Sequence, residues 1–281
     1  MLKTRTPPTA VPGVPPGQGL NPALEELFSL VRHWEQWGVL AWADTKFRYR
    51  RTTIGPIWIT LSLAATIFSV GILYGTILGS GDLSQYLPYF AIGMIIWAYL
   101  SSTMIMGCLV FIQAGSIIKA MPVPLVLHVY RMLAGAIIVL AHNALLIVLL
   151  WLLFRWPIGW VTLLALPGLA LDTIALFGIT LTFSIVCTRF RDLHQIISNI
   201  LQLLFFVTPI IWAPASLRGE KLQFVLYLNP LYYLVEVVRK PLLGVLPNVT
   251  IWAVAGSIAL ASLVIGTTFY VRFRHRVAFW L

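Results

Sequence analysis

The sequence predicts an all-α integral membrane protein with six transmembrane helices. The first observation is composition, since 59% of the 281 residues are hydrophobic and only 10% are charged. The second is a mean hydropathy of +0.90, which is too apolar for a water-soluble domain because such a domain needs far more polar surface. The third is that the apolar residues form uninterrupted runs, each near the roughly 20 residues that cross a bilayer core of about 30 Å.

The chain before the first apolar run divides into two regions. Residues 1–22 are rich in Pro and Gly and cannot bury enough apolar surface to fold, so we expect a disordered cytoplasmic tail. In residues 23–56 an apolar stripe at helical spacing is followed by tryptophans that suit the headgroup layer. These residues are Leu24, Leu27, Phe28, Val31, Trp34, Trp37 and Trp42. We predict an amphipathic interface helix and the entry to the first span, acting either as an anchor or in gating.

Residues 57–281 form the predicted six-span permease domain. The six apolar segments are 57–78, 86–108, 125–154, 161–188, 196–212 and 250–271. The fifth segment is short for a bilayer crossing. Residues 222–245 are also apolar, but Asn229, Pro230, Pro241 and charged residues interrupt them, so we do not count them as a span.

The distribution of Lys and Arg predicts the orientation. Placing the N-terminus in the cytoplasm puts most of the basic residues on the cytoplasmic side, as the positive-inside rule requires. These are Lys46, Arg48, Arg50, Arg51, Lys119, Arg131, Arg189, Arg191, Arg272, Arg274 and Arg276, against Arg155, Arg218, Lys221, Arg239 and Lys240 outside. Both termini are then cytoplasmic. The net charge of +10 reflects this sidedness and anionic lipid headgroups, so we expect no nucleic-acid partner.

A search for catalytic chemistry gives negative results. The sequence has no phosphate loop of the form GxxxxGK followed by Ser or Thr, so we expect no ATP hydrolysis by this chain. The five histidines lack metal-ligand spacing, and Cys108 and Cys187 are expected to be small buried apolar residues. We therefore predict no metal, no cofactor and no catalytic residue on this chain. Asp172 is expected either to form an interhelical hydrogen bond or ion pair, or to contact substrate.

Four motifs in the same order carry a family resemblance. They are KFRYRRTTIGPIW at residues 46–58, SIIKAMPVP at 116–124, RFRDL at 189–193 and LNPLYY at 228–233. Together they resemble type-2 ABC transporter permeases that export O-antigen, capsule or teichoic acid polymers. The resemblance covers essentially all of the chain after about residue 30. It implies a homodimer in the bacterial cytoplasmic (inner) membrane, with two copies of a separate ATPase subunit that binds ATP and magnesium.

The resemblance also implies roles for residues on the cytoplasmic side. A coupling helix around residues 117–121 would contact the ATPase through Ile117, Lys119, Met121 and the following Pro122. A second ATPase contact would be formed by Arg189, Arg191 and Asp192, and an inner gate by Arg48, Arg50 and Arg51. The alternative for the basic residues is that they set topology alone, since any membrane protein carries Lys and Arg there.

On the outer side, the resemblance implies two short re-entrant helices between the fifth and sixth spans, at residues 222–228 and 231–243. Sugar rings present apolar CH faces that slide over aromatic surfaces. The candidates for the polysaccharide pathway are Phe68, Tyr74, Phe205, Phe206, Trp212, Tyr227, Tyr232 and Tyr233; the alternative is an interfacial aromatic belt. The expected function is export of a lipid-linked polysaccharide. Export of a small hydrophobic molecule and a membrane glycosyl transferase or polymerase are the alternatives.

Overall fold

The computed structural model describes residues 24–27, 34–48, 57–78, 83–121, 123–156, 158–214, 224 and 226–281. Within these ranges every regular element is a helix. The helices are α1 (Trp34–Arg48), α2 (Ile57–Leu78), α3 (Leu83–Gln113), α4 (Gly115–Ala120), α5 (Leu125–Phe154), α6 (Ala165–Arg189), α7 (Leu193–Val207), α8 (Pro230–Leu242) and α9 (Val249–Trp280), with a 3-10 helix at Trp160–Leu164. Residues 24–27 are also helical.

Five helical segments are long and apolar enough to cross a membrane. They are Ile57–Ile77, Leu83–Ala120, Leu125–Phe154, Trp160–Arg189 and Val249–Trp280. The chain is therefore a multi-pass membrane protein. These five correspond to predicted spans one to four and six, and the predicted bounds of the first and third spans coincide with those of α2 and α5.

The predicted fifth span differs from the other five. Residues 196–212 were expected to form it, but the helix found there, α7, has 15 residues and is only about 22 Å long at the helical rise. It ends because Thr208 precedes Pro209. A residue before proline is disfavoured in the helical conformation, and Thr208 is extended, with φ −79° and ψ 133°.

The closest helix contact lies between α6 and α9. A Cβ atom added to Gly178 on α6 would overlap the backbone of Ser262 on α9, and one added to Gly266 would overlap the backbone of Gly178. Small residues allow helices in a bilayer to approach until their backbones touch. The contact between α6 and α8 is similar, because a Cβ atom on Gly168 would lie 2.7 Å from the carbonyl oxygen of Val237.

Helix α8 lies where the second re-entrant helix was predicted. Its start is fixed by sequence, because the Asn229 side chain accepts a hydrogen bond from the Leu231 amide at 3.0 Å and Pro230 occupies the first helical position. Every side chain from Leu231 to Arg239 is buried. Of the first predicted re-entrant helix, at 222–228, residues 224, 226 and 227 are helical, and residues 222, 223 and 225 lie outside the described residues.

The predicted interface helix is described only in part. Residues 24–27 and α1 are helical, while the predicted tail 1–22 and the stripe positions Phe28 and Val31 lie outside the described residues. Trp34 and Trp42 on α1 are exposed, as an interfacial location requires.

Candidate functional site

Three elements meet at one end of the bundle, which we call the basic end. They are α4, the turn that follows α6, and the last residues of α9. The Arg189 guanidinium lies 5.6 Å from the ring centroid of Trp280, and a Cβ atom on Gly115 would contact Leu281 at 3.6 Å. The structure therefore places the predicted coupling helix close to the second predicted ATPase contact.

Helix α4, the predicted coupling helix, is short, and its end is defined by sequence. It spans Gly115–Ala120, and Met121 then adopts an extended conformation with φ −131° and ψ 141°, as expected for a residue that precedes a proline. Pro122 itself lies outside the described residues. The predicted helix around 117–121 is thus found about one to two residues earlier.

Exposed apolar and charged side chains on these elements form a surface that we call the coupling face. It is made of Ile117, Lys119, Met121, Phe190, Arg191 and Asp192. The exposed fractions are 39% for Ile117, 60% for Met121 and 59% for Phe190. Lys119, Arg191 and Asp192 are also exposed. An exposed apolar patch with a charged rim is typical of a protein–protein contact.

The predicted inner gate is largely outside the described residues. Arg50 and Arg51 are not described, and of Arg48 only its position at the end of α1 is described. Near this region, Arg131 on α5 forms a bidentate ion pair with Asp44 on α1. A second pair joins Arg274 on α9 to Glu26 at 2.6 Å. These pairs fasten the N-terminal segment to the bundle and show that topology is not the only role of these two arginines.

Two helices carry most of the predicted aromatic pathway residues. On α2, Phe68 is half-buried and Tyr74 is exposed. On α7, Phe205 is half-buried, with its ring 5.7 Å from Trp97, while Phe206 is 62% exposed. Both helices pack on α3 and present much of their remaining surface outwards.

At the end of the bundle opposite the basic end, the chain is non-helical from Thr208 to Ala213. Several of its polar groups are nevertheless paired with side chains. The Tyr86 hydroxyl donates to the Ile211 carbonyl at 2.7 Å, and the Tyr89 hydroxyl donates to the Pro209 carbonyl at 3.0 Å. Asn229 donates to the Thr208 hydroxyl at 2.8 Å. Irregular backbone at membrane depth is tolerated only when protein groups replace water in this way.

A fully buried arginine lies beside this break. Arg239 on α8 is 0% exposed and forms an ion pair with Glu236 one turn earlier. Its Nη1 donates to the Pro209 carbonyl at 2.6 Å, and its guanidinium lies 4.0 Å from the Tyr89 ring centroid. We call Glu236, Arg239, Tyr89 and Pro209 the arginine cluster.

The position of Arg239 on the outer side stays a prediction, but its side chain does not lie at a membrane surface. Topology charges lie in contact with water or headgroups, whereas this side chain is enclosed by protein. The signal that could have found it is the spacing Glu236 to Arg239 within an apolar helix, because i,i+3 residues on a helix are neighbours.

The remaining aromatic candidates lie on α8 or close to it. Tyr227 is 57% exposed, whereas Tyr232 and Tyr233 are only 7% and 8% exposed. The Tyr233 hydroxyl donates to the Tyr227 carbonyl at 3.0 Å. Burial raises the pKa of Tyr232 to about 12, so its hydroxyl stays protonated. Trp212 is half-buried and donates to the Phe206 carbonyl at 3.0 Å.

Asp172 on α6 is fully buried. The expected interhelical hydrogen bond or ion pair is not found, because neither carboxylate oxygen has a hydrogen-bond partner among the described residues. Contact with a substrate is also excluded in this conformation, since the side chain is 0% exposed.

Within the part of the chain that the structure describes, no group of three or more His, Cys, Asp or Glu could hold a metal ion. Cys108 and Cys187 are both free and buried, which agrees with their interpretation as small apolar residues.

Comparisons with known proteins point to one family. Residues 35–243, from α1 to the end of α8, match the sequence profile of a family described as "ABC-2 type transporter". Two Klebsiella pneumoniae proteins named "O-antigen export system permease protein RfbA" are each 26% identical to this chain over 193 residues, which is 67% of this chain and 72% of each relative. A Myxococcus xanthus protein of the same name is 24% identical over 190 residues, with the same coverage.

Proposed function

Because the chain belongs to the ABC-2 type transporter family, we propose that it is the transmembrane subunit of an exporter that moves a lipid-linked polysaccharide across the cytoplasmic membrane. The family resemblance predicted from four sequence motifs is confirmed. Membership implies pairing with an ABC ATPase subunit, so ATP and magnesium bind to that partner. Polysaccharide as the substrate is supported by relatives that are named O-antigen export permeases.

The observation that carries this proposal is the coupling face. Ile117, Met121 and Phe190 expose apolar surface at the end of the bundle where two predicted ATPase contacts meet. Exposed apolar groups among charged ones bind another protein. In this mechanism ATP binding closes the partner subunits, and α4 transmits that closure to α3 and α5, between which it lies in the chain.

A pathway for the polymer is formed when two copies of the chain pair. We place α2 and α7 beside the pathway because their outward surfaces carry Tyr74 and Phe206, and because few of their side chains are buried within one copy. The rings offer flat apolar surfaces to sugar CH groups. Tyr227 is exposed beside α8 and extends this aromatic surface towards the exit.

Six crossings complete the proposed topology, with α7 as the short fifth span and both termini in the cytoplasm. The residues 208–213 and α8 then form the outer cap, in which α8 is the second re-entrant helix. The positive-inside rule supports this orientation, since Lys119, Arg189 and Arg191 lie at the basic end.

One observation favours a second candidate, export of a small hydrophobic molecule. The outward surfaces of α2 and α7 are mostly aliphatic, as Leu61, Ile72 and Leu73 on α2 and Ile200 and Leu203 on α7 show. An aliphatic lining suits an apolar cargo better than a sugar polymer.

The deciding experiment is to co-express the chain with candidate ATPase subunits, reconstitute the complex in liposomes and measure ATP hydrolysis. We expect a lipid-linked polysaccharide to change the rate and small hydrophobic drugs to leave it unchanged. A response to drugs alone would favour the second candidate. If the chain bound no ATPase and turned over the glycolipid itself, it would be a membrane glycosyl transferase or polymerase.

A further inference from the structure

A cavity of about 590 Å³ lies between α1, α2, α3 and α5, and Ile117 of α4 also lines it. We propose that it binds one membrane phospholipid, with the phosphate at Arg131 and His128 and one acyl chain along α5. Ligand pockets in proteins have volumes of roughly 300–1,000 Å³, so the cavity has the size of a ligand site. This site lies in the body of one copy and does not depend on the identity of the transported substrate.

The polar end of the cavity offers unused hydrogen-bonding groups. Arg131 donates to Asp44 through Nε and Nη2, while its Nη1 makes no hydrogen bond to the described residues. One turn earlier, His128 is 5% exposed, and its Nε2 has no partner among the described residues. Both residues line the cavity. A phosphate group, which binds Arg strongly through charge-assisted hydrogen bonds, satisfies both nitrogens.

The ion pair of Arg131 and Asp44 places a positive and a negative charge at the polar end of the cavity. The Arg131 and Asp44 side chains are 27% and 39% exposed, so each charge is accessible. A headgroup with a phosphate and an ammonium, as in phosphatidylethanolamine, is complementary to the pair. We therefore assign this zwitterionic headgroup to the site.

The walls beyond the polar end suit a hydrocarbon chain. Leu63, Met106, Met132 and Leu140 line the cavity with apolar surface. The hydroxyl groups among them are already satisfied, because Ser62, Thr66 and Ser102 donate to carbonyls of their own helices. An acyl chain in contact with these walls leaves those hydroxyls paired, which avoids the cost of burying an unpaired polar group.

The depth of the cavity matches one acyl chain. The lining residues of α5 run from His128 to Asn143, and the part beyond Arg131 is about 18 Å long at the helical rise. One leaflet of the hydrocarbon core is about 15 Å deep, half of the whole core. Asn143 closes the far end by accepting a hydrogen bond from Thr60 at 3.2 Å. A polyprenyl tail longer than one leaflet exceeds this depth.

Gly135 allows the cavity to be filled without disturbing a packed contact. It lines the cavity, and a Cβ atom added to it meets no heavy atom within 4 Å. Leu at this position places its side chain in the proposed acyl site and improves helix propensity. Gly256 on α9 is the matched control, because its added Cβ atom also meets nothing within 4 Å and it does not line the cavity.

The test uses the full chain in nanodiscs with a phosphatidylethanolamine probe that carries a photoactivatable group on one acyl chain. We expect cross-linked peptides from α3 and α5 in the native chain. We expect about tenfold less cross-linking in Gly135→Leu, as for a tenfold loss of affinity, and native cross-linking in Gly256→Leu. Equal cross-linking in both variants would overturn the proposal.

Two further arms identify the bound lipid. A diacylglycerol probe with the same chains but no phosphate should label α5 several-fold less, because it cannot bind Arg131 and His128. Equal labelling would overturn the phosphate assignment. Unlabelled phosphatidylethanolamine should displace the probe better than polyprenyl phosphate does. The reverse order would overturn the phospholipid assignment and make the cavity an entry site for a lipid-linked substrate.

Discussion

Helices α6, α8 and α9 differ sharply from α2 and α7 in the contacts that they make within one copy of the chain. In the first group backbones touch at Gly178 and Gly168, and a buried ion pair lies at α8. In the second group the helices pack on α3 and leave wide apolar surfaces outside, and Leu201 is the one buried residue of α7 among the described positions. The first group is fixed within one copy, whereas the second is available to a second copy or a cargo.

Burial of apolar surface alone does not explain this difference. In a bilayer, lipid tails are as apolar as Leu, so helices associate through close packing and hydrogen bonds. The α6–α9 contact is a close-packing contact, in which Gly178 lies against the backbone of Ser262 and Gly266 lies against the backbone of Gly178. The exposed α2 residues Leu61, Ile72 and Leu73 are large and keep a neighbouring backbone at a distance. Residue size therefore separates the fixed helices from the exposed ones.

The largest expected effect comes from breaking the α6–α9 contact. Gly178→Leu places a side chain where the backbone of Ser262 lies, so the helices must separate. Overpacking of a core typically costs about 1–3 kcal/mol, and a clash with backbone exceeds that range. We expect loss of the monodisperse peak in size-exclusion chromatography of the solubilised protein.

The control for that experiment is Gly256→Leu on α9, at a position with open space. It should elute as the native chain does. If Gly178→Leu also did so, close backbone contact would not be what holds α6 and α9 together.

The next largest effect comes from the arginine cluster. Arg239→Met leaves the Glu236 carboxylate buried without its partner and removes the donor from the Pro209 carbonyl. Breaking a buried ion pair by removing one member costs about 3–5 kcal/mol. We expect a clearly lower thermal unfolding midpoint, measured by intrinsic fluorescence.

Lys240→Met removes the same charge from the neighbouring half-buried position and should leave the unfolding midpoint unchanged. Glu236→Leu combined with Arg239→Met should recover part of the loss, because no unpaired charge is left buried. Equal midpoints for Arg239→Met and Lys240→Met would show that the cluster does not fix α8.

The sequence predicts those features of the structure that are determined by neighbouring residues in the chain. The bounds of α2 and α5 were predicted to the residue, because each apolar run is delimited by polar residues or proline. The end of α7 was not predicted, although Pro209 marks it. The apolar run continues to Trp212, and hydropathy alone does not register that Pro209 stops the helix.

The long-range pairs could not be predicted at all. Arg131 and Asp44 are 87 residues apart in sequence, and single-sequence periodicity gives no information on such pairing. For the same reason the cavity beside Gly135 was not foreseen. The family motifs did locate α4 and the turn at Arg191, because the residues of a short motif determine the local backbone conformation.

The third prediction concerns the coupling face. Like the outward surfaces of α2 and α7, this face is exposed in a single copy of the chain. Ile117→Gly with Lys119→Glu removes an apolar contact and reverses a charge on α4. We expect about tenfold less ATPase subunit in co-purification, which corresponds to a loss of about 1.4 kcal/mol of binding free energy. Arg155→Glu, at the opposite end of the bundle, should retain the native amount. Unchanged assembly and transport in the α4 variant would remove this helix from the mechanism.

The smallest effect on stability, and the sharpest test of cargo, comes from Phe206 on the exposed side of α7. Phe206→Leu keeps an apolar side chain at a 62% exposed position, so the unfolding midpoint should not change, as for surface substitutions within about 0.5 kcal/mol. If a polymer slides over the ring, transport of the lipid-linked polysaccharide should fall several-fold, because Leu has no flat face for sugar CH groups. Leu145→Ala, on the exposed side of α5, should leave transport unchanged. Full transport by Phe206→Leu would remove the ring from the pathway and leave the aliphatic surface of α7 as the part that contacts cargo.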